Sequence, residues 1–363
     1  MRIAVDAREL CGRPTGVGRY LAEVARVWRD LPEAAGHEIV WCGDRPFEHP
    51  LLDRAGWRTA VRPGRGPYWE QIAFPGLAKV AMADVLFAPA YSGPVVGSTP
   101  LVVAIHDVSF AAHPEWFRWR EGLRRRLLTR ASARRAAAVL TLTEFSRREI
   151  HRYLGVPLDR IHLAAPGPSG LAVTRPADAP RHTVLMAGSV FNRRHVPELM
   201  AGFGRLVARR PHAALAVVGE NRTWPPQDLE AARRDSGAAE RIALHSYVGD
   251  DALARLYGSA RAFAYLSSYE GFGIPPLDAL VHGVPPVLLD TPVAREVFGD
   301  AAEYVARPDP ALIADALDRV LYDETRRDAI LRAAPAVVAR YSWTACARTV
   351  LAALANAAER GGR

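Results

Sequence analysis

Two carboxylates, Glu270 and Asp278, flank the run Gly271-Phe272-Gly273-Ile274-Pro275-Pro276-Leu277. Glycine lets a backbone come close to a ligand, and proline suits a helix start because it already holds the helical φ and its missing N–H is not needed there. The unpaired amides of such a first turn, with the helix dipole, favour an anion. Glu270 precedes the glycines and Asp278 stands about one turn inside the helix, so the two acids can bracket a phosphate without sharing a helical face. Carboxylates beside a phosphate accept hydroxyls, and on a nucleotide sugar the nearest hydroxyls are those of its sugars.

A second group of the same kind lies upstream. Gly188-Ser189 ends an apolar run, and Arg193-Arg194 follows just before a helical pattern, which joins two guanidinium groups to another helix start. His106-Asp107 closes the apolar run Pro100–Ile105, at a strand's carboxyl end, where open α/β sheets bind ligands. Gly16-Val17-Gly18 resembles the opening of a dinucleotide turn, but Leu21 occupies the third glycine position, so a tight strand-to-helix turn explains it as well.

The elements that would hold these groups read as alternating strands and helices, hence an α/β chain with parallel sheets. Buried strands are expected at Ile3–Val5, Glu38–Cys42, Asp84–Pro89, Pro100–Ile105, Ala138–Thr143 and Ile161–Pro168. After a Pro/Ala-rich linker over 171–181 the pattern restarts at Thr183–Ser189, Ala214–Glu220, Ile242–Val248, Ala262–Ser267 and Pro286–Leu289. Helices are expected from near Arg19-Tyr20, from Tyr68, behind a capping box at Ser146–Glu149, over Pro310–Leu331, and from Trp343 to about Ala358. Tyr68, Trp69, Glu70 and Gln71 bring aromatic surface that serves either packing or a ligand.

At 363 residues the chain exceeds one ordinary core, and two domains are expected. With 49% hydrophobic and 24% charged residues it reads as a soluble globular protein. Its net charge of +8 comes from arginine, Lys79 being the only lysine. That balance suits an anionic substrate, a polyanion or an anionic membrane surface, and it also follows from GC-rich coding; no residue pattern points to nucleic acid. Cys11, Cys42 and Cys346 are scattered without metal spacing, no apolar run approaches the roughly 20 residues of a spanning helix, and Met1–Asp6 is no signal peptide. A cytoplasmic location is expected, with peripheral contact at the inner membrane face through the arginine-laden stretch 118–135 as one reading of that helix and a solvated face as the other.

The run Glu270–Asp278 resembles the signature of the retaining glycosyltransferases of family 4, which normally read Glu, seven residues, Glu; here the second acid is one methylene shorter. Gly188–His195 and Thr143–Ser146 resemble further motifs of that family, so the likeness covers nearly the whole chain. It implies a GT-B fold of two Rossmann-like domains facing a cleft: 1–170 for the acceptor, with 341–363 packing back on it, and 181–340 for the donor. It implies transfer of a hexose or deoxyhexose from a nucleotide diphosphate sugar to a hydroxyl, with retention and with neither cofactor nor metal; the chain contains no Asp-x-Asp.

By the same resemblance Glu270 lies against the donor sugar, Asp278 at the ribose, and Arg194 and its neighbour Arg193 on the phosphates. Gly16, Gly188, Ser189, Gly271, Phe272, Gly273 and Ile274 would line the donor, and Tyr247 and Val248 its base. His106 near the donor sugar leans toward a GDP-mannose-like donor, and Asp107, Tyr68 and Trp69 fall on the acceptor side. A sugar-nucleotide epimerase or hydrolase on this fold, or a non-catalytic nucleotide-sugar-binding partner, remains open, as do acceptor and oligomeric state.

Overall fold

The computed structural model describes residues 1–12, 16–174 and 182–361; the remainder of the expected linker, 175–181, and 13–15 of the first glycine loop lie outside them. The chain divides into two compact units, one of 1–114, 119–166 and 341–363, the other of 115–118 and 167–340.

The first unit is built on seven parallel strands: β1 Arg2–Asp6, β2 Glu38–Gly43, β3 Trp57–Val61, β4 Val85–Ala88, β5 Leu101–Ala104, β6 Ala138–Thr141 and β7 Ile161–Leu163, in the order β3-β2-β1-β4-β5-β6-β7. Ile3 pairs with Ile39 on one side and Val85 on the other. These central strands are apolar throughout because helices cover both faces. β3 is not announced by the sequence: it is an edge strand whose Arg58, Thr59 and Val61 are exposed, so no apolar run marks it.

The second unit has six parallel strands: β8 Thr183–Ala187, β9 Ala214–Val218, β10 Ile242–His245, β11 Ala262–Tyr265, β12 Pro286–Leu289 and β13 Glu303–Val305, ordered β10-β9-β8-β11-β12-β13. Each sheet therefore reverses its winding once, between β1 and β4 and between β8 and β11, and at such a point the loops leaving the two strands part and open a crevice.

The last helix, Trp343–Gly361, belongs to the first unit. Trp28, on the helix Gly16–Asp30, donates its indole N–H to Ala347 O at 2.9 Å, and the Trp343 ring meets Tyr20 at 5.9 Å.

Three expected boundaries shift. The first helix begins at Gly16, because glycine is tolerated at a helix end. The cap of Glu144–Leu154 is Thr143, whose extended backbone lets Oγ1 accept Ser146 N–H at 3.1 Å; Ser146 is already inside the helix. Pro310–Leu331 is two helices, Pro310–Tyr322 and Glu324–Val338, separated by Asp323, which caps the second through Arg326 N–H.

Candidate functional site

In the second unit, the loops after β8 and β11 leave the sheet at its reversal and carry the residues that the sequence singles out. Gly188 has φ +124°, open to glycine alone, and a Cβ at Gly219 would lie 2.0 Å from Gly188 O, so the two turns touch through bare backbone. Beyond Gly188 the chain forms a short 3-10 turn, Asn192–Arg194, then the helix Val196–Arg209. Beyond β11, Gly273 at φ +116° turns the chain into the helix Ile274–Val281, with Pro275 and Pro276 in its first turn.

The two loops are stapled together. Arg194 Nε donates to Glu270 Oε1 at 2.9 Å, Arg193 Nε donates to Tyr269 O at 3.0 Å, and Ser268 N–H donates to Arg193 O at 2.8 Å. The two anion seats expected from sequence therefore form one place. Arg194 also donates through Nη1 to Ser189 O and lies over the Tyr265 ring at 4.7 Å.

Glu270 is the centre of this network. Its Oε1 accepts from Arg194, from Tyr265 Oη at 3.0 Å and from Ser267 Oγ at 2.9 Å, whereas Oε2 has no protein partner among the described residues. Burial pushes the carboxyl up, but Arg194 and Arg193 outweigh it and hold it at about 2. It is thus a permanent carboxylate with one oxygen fixed and the other presented, fit to accept a hydroxyl and unfit to donate a proton. Burial raises the Tyr265 phenol, so it stays a donor. Tyr265 and Ser267 are absent from the sequence reading; they alternate along an extended stretch and so share a side, three residues before Glu270, which is the signal that could have found them.

Asp278 is 6% exposed and accepts Ser169 N–H on Oδ1 at 2.7 Å, so one of its oxygens ties the start of this unit's chain to the signature helix. Gly271 and Phe272 are buried and Ile274 is half-buried at the helix start. Tyr247, 66% exposed, and Val248 follow β10, two strands and about 10 Å from β8 at the usual strand spacing, which is the reach of a nucleoside.

The other candidates lie in the first unit. His106 follows β5 and is 8% exposed, edge-on to Tyr20 and Tyr91. Its Nε2 lies 2.8 Å from Pro89 O; a carbonyl only accepts, so the proton sits on Nε2 and Nδ1 is the acceptor. Burial keeps the ring neutral by lowering its pKa. Asp107 accepts Ser109 N–H at 2.8 Å and Tyr91 Oη at 3.2 Å, and Tyr91 itself holds φ +68°, a strained value for a tyrosine. Gly16 opens its helix with free space where a Cβ would be.

Trp69 requires a correction as an acceptor-side residue. It is fully buried, stacked on Phe74 at 5.5 Å, with its N–H on Arg62 O at 2.8 Å, so it has no surface for a ligand. It sits in a π-helical turn, Trp69–Ala73, just before Pro75, which has no N–H for the ladder. Tyr68 is 55% exposed, and the residue that this turn aims into a groove is its neighbour Glu70.

Residues 14–167 match the family described as Glycosyltransferase Family 4, and 175–337 match Glycosyl transferases group 1. The chain belongs to glycosyltransferase family 4. Its architecture is the GT-B fold. This glycosyltransferase is 28% identical to the O-antigen chain mannosyltransferase B of Escherichia coli over 256 residues, 68% of the chain and 67% of that protein. It is 29% identical to the D-inositol 3-phosphate glycosyltransferase of Xylanimonas cellulosilytica over 247 residues, 61% of the chain and 58% of that protein. In fold it is similar to the Anabaena protein HepE, solved with UDP-glucose, with a TM-score of 0.76 at 17% identity, covering 98% of this chain and all of that one.

Proposed function

We propose that this glycosyltransferase moves a hexose or deoxyhexose from a nucleotide diphosphate sugar to an acceptor hydroxyl with retention at the anomeric carbon. The observation that carries the reading is the stapled pair Arg194–Glu270 at the sheet reversal, a guanidinium and a permanent carboxylate held 2.9 Å apart. One suits a phosphate oxygen and the other a sugar hydroxyl.

The bond from anomeric carbon to diphosphate oxygen breaks with its electron pair going to the phosphate. The acceptor oxygen bonds to the same face of the carbon, and its proton passes to the departing phosphate oxygen. Charge grows on the diphosphate, so Arg193, Arg194 and the first-turn amide of Ile274 bind the transition state better than the ground state. No metal is assigned a part in this step. A neutral His106 with an acceptor at Nδ1 would take a donor-sugar hydroxyl, and that histidine together with the mannosyltransferase relative favours a GDP-mannose-like donor. Asp278, one turn into the same helix, is the acid that would hold the ribose.

The arginine helix Trp119–Arg135 exposes Trp119 and Leu127 among its guanidinium groups, which supports peripheral contact with an anionic membrane. Among the described residues no helix is long and apolar enough to cross one.

A panel of GDP-, UDP- and dTDP-sugars with candidate acceptors tests the reading. Acceptor-dependent release of nucleoside diphosphate, with a product whose anomeric coupling matches the donor's, supports it. Epimer formed without acceptor, or binding without turnover, would replace it by the epimerase or the non-catalytic alternative.

A further inference from the structure

The proposed transfer leaves the acceptor undescribed, and any assignment of that acceptor rests on the transfer itself. An open groove lies wholly within the first unit, at the reversal between β1 and β4, where Arg8, Glu70, Tyr91, Arg124 and Arg125 face one another.

Its floor is acidic and fixed. Glu70, 8% exposed, accepts Gln71 Nε2 at 2.9 Å and Ser92 Oγ at 3.0 Å, and Arg8 Nη2 stands 3.5 Å away. Arg8 is shared between two acids: its Nε and Nη2 grip both oxygens of Asp6 at 3.0 and 2.6 Å, Nη2 also pairs with Glu70 Oε2, and its guanidinium covers the Trp69 ring at 4.3 Å. The Arg8 charge is therefore spent inside the protein, and the floor keeps the character of a hydroxyl acceptor.

The facing wall is basic. Arg124 and Arg125 project from the arginine helix; Arg125 pairs with Glu121 at 2.8 Å, whereas Arg124 makes no ion pair or hydrogen bond among the described residues. Val17, in the first turn of the helix Gly16–Asp30, and Glu9 line the same groove. A neutral sugar would use the floor and leave this wall solvated. An acceptor with a phosphate uses both, since a guanidinium fork matches phosphate oxygens.

We propose that the groove takes a hydroxylated acceptor bearing a phosphate or diphosphate, its hydroxyls against Glu70 and its anion on Arg124. The anion can be that of a soluble sugar phosphate or of a lipid-linked diphosphate.

Calorimetric titration of the full chain separates these. The probes are mannose, mannose 6-phosphate, farnesyl diphosphate in detergent, and GDP, against wild type, Arg124→Gln, Glu70→Gln and Arg194→Gln. Wild type should bind a phosphorylated probe more tightly than mannose, and Arg124→Gln should weaken it about tenfold. Glu70→Gln should weaken mannose 6-phosphate and spare farnesyl diphosphate, which has no hydroxyls. Preference for mannose 6-phosphate assigns the soluble source, and preference for farnesyl diphosphate the lipid one. Arg194→Gln should lose GDP and keep the phosphorylated probe, which excludes binding at the donor seat. The inference falls if wild type and Arg124→Gln bind these probes alike, or if wild type binds neither. Failure of wild type to bind GDP would instead sink the donor reading and leave the groove result standing.

Discussion

Glu270 owes its character to four side chains, Arg193, Arg194, Tyr265 and Ser267. Its folded pKa of about 2 lies below the ordinary 4.5, so its ionisation stabilises the fold above pH 4.5, and that contribution is lost as pH falls toward 2. The amount is on the order of 3 kcal/mol, and acid titration by circular dichroism should show Glu270→Gln losing less stability than wild type across that window. Turnover should fall about a hundredfold or more in Glu270→Gln, as when a preorganised transition-state contact is removed. Tyr265→Phe is the subtler case: it removes one donor to Oε1 and leaves Arg194 and Ser267 in place. We expect kcat to drop about tenfold at little change in donor KM, because a looser carboxylate costs orientation rather than binding. Equal losses in melting temperature for Tyr265→Phe and a buried control such as Phe263→Leu, with kcat intact in both, would assign Tyr265 to packing. Because the leaving charge is assigned to guanidinium groups, excess EDTA should leave the rate unchanged, and a rate restored by added Mg²⁺ or Mn²⁺ would contradict that assignment. Much of this is legible in the sequence: Glu270, Arg193, Arg194 and the glycines are named by type and spacing. That Arg194 bonds Glu270 is not, since it is a contact across 76 positions that only sheet order brings together.

At the scale of elements, the apolar runs reveal the central strands and miss both β13, a three-residue strand that opens on Glu303, and β3, because an edge strand with exposed Arg58 and Thr59 carries no such run. Trp69 shows the opposite failure: aromatic type invites a ligand reading, while its burial comes from a π-helical turn that no periodicity announces. The helix Trp119–Arg135 reads two ways from sequence, and its exposed Trp119 and Leu127 sharpen the test. An interfacial helix should carry the protein onto vesicles containing anionic phosphatidylglycerol and release it in high salt, since arginine–lipid attraction is screened within about 10 Å at 0.1 M. Trp119→Ala with Leu127→Ala should then halve or further reduce the sedimented fraction without changing GDP binding. Equal sedimentation with neutral vesicles, or none with anionic ones, would leave the helix as a solvated face.

The whole molecule is threaded so that its first unit is completed by its last helix. Trp343, Val350, Leu351 and Leu354 of that helix are buried in the first unit, and Trp28 and Cys346 make their hydrogen bonds, to Ala347 O and Ala164 O, across the same seam. At about 2 kcal/mol per buried large side chain the four account for roughly 8 kcal/mol, which matches the entire stability of an ordinary domain, about 5–15 kcal/mol. The return of the chain end is therefore a condition of folding for the first unit and not for the second, whose strands β8 to β13 make no use of it. A chain ending at Arg340 should accordingly lose amide protection in β1, β4 and β5 while β8 and β11 keep theirs, and GDP, if it binds the second unit, should still raise the remaining transition. Trp28→Phe in the full chain is the milder form, removing one buried hydrogen bond and some volume for about 1–3 kcal/mol, again confined to the first unit. Hydrogen exchange read by mass spectrometry resolves both. Uniform loss of protection in the two sheets would mean that they unfold as a single cooperative body, and retained protection in β1 after truncation would mean that the first core stands without its final helix.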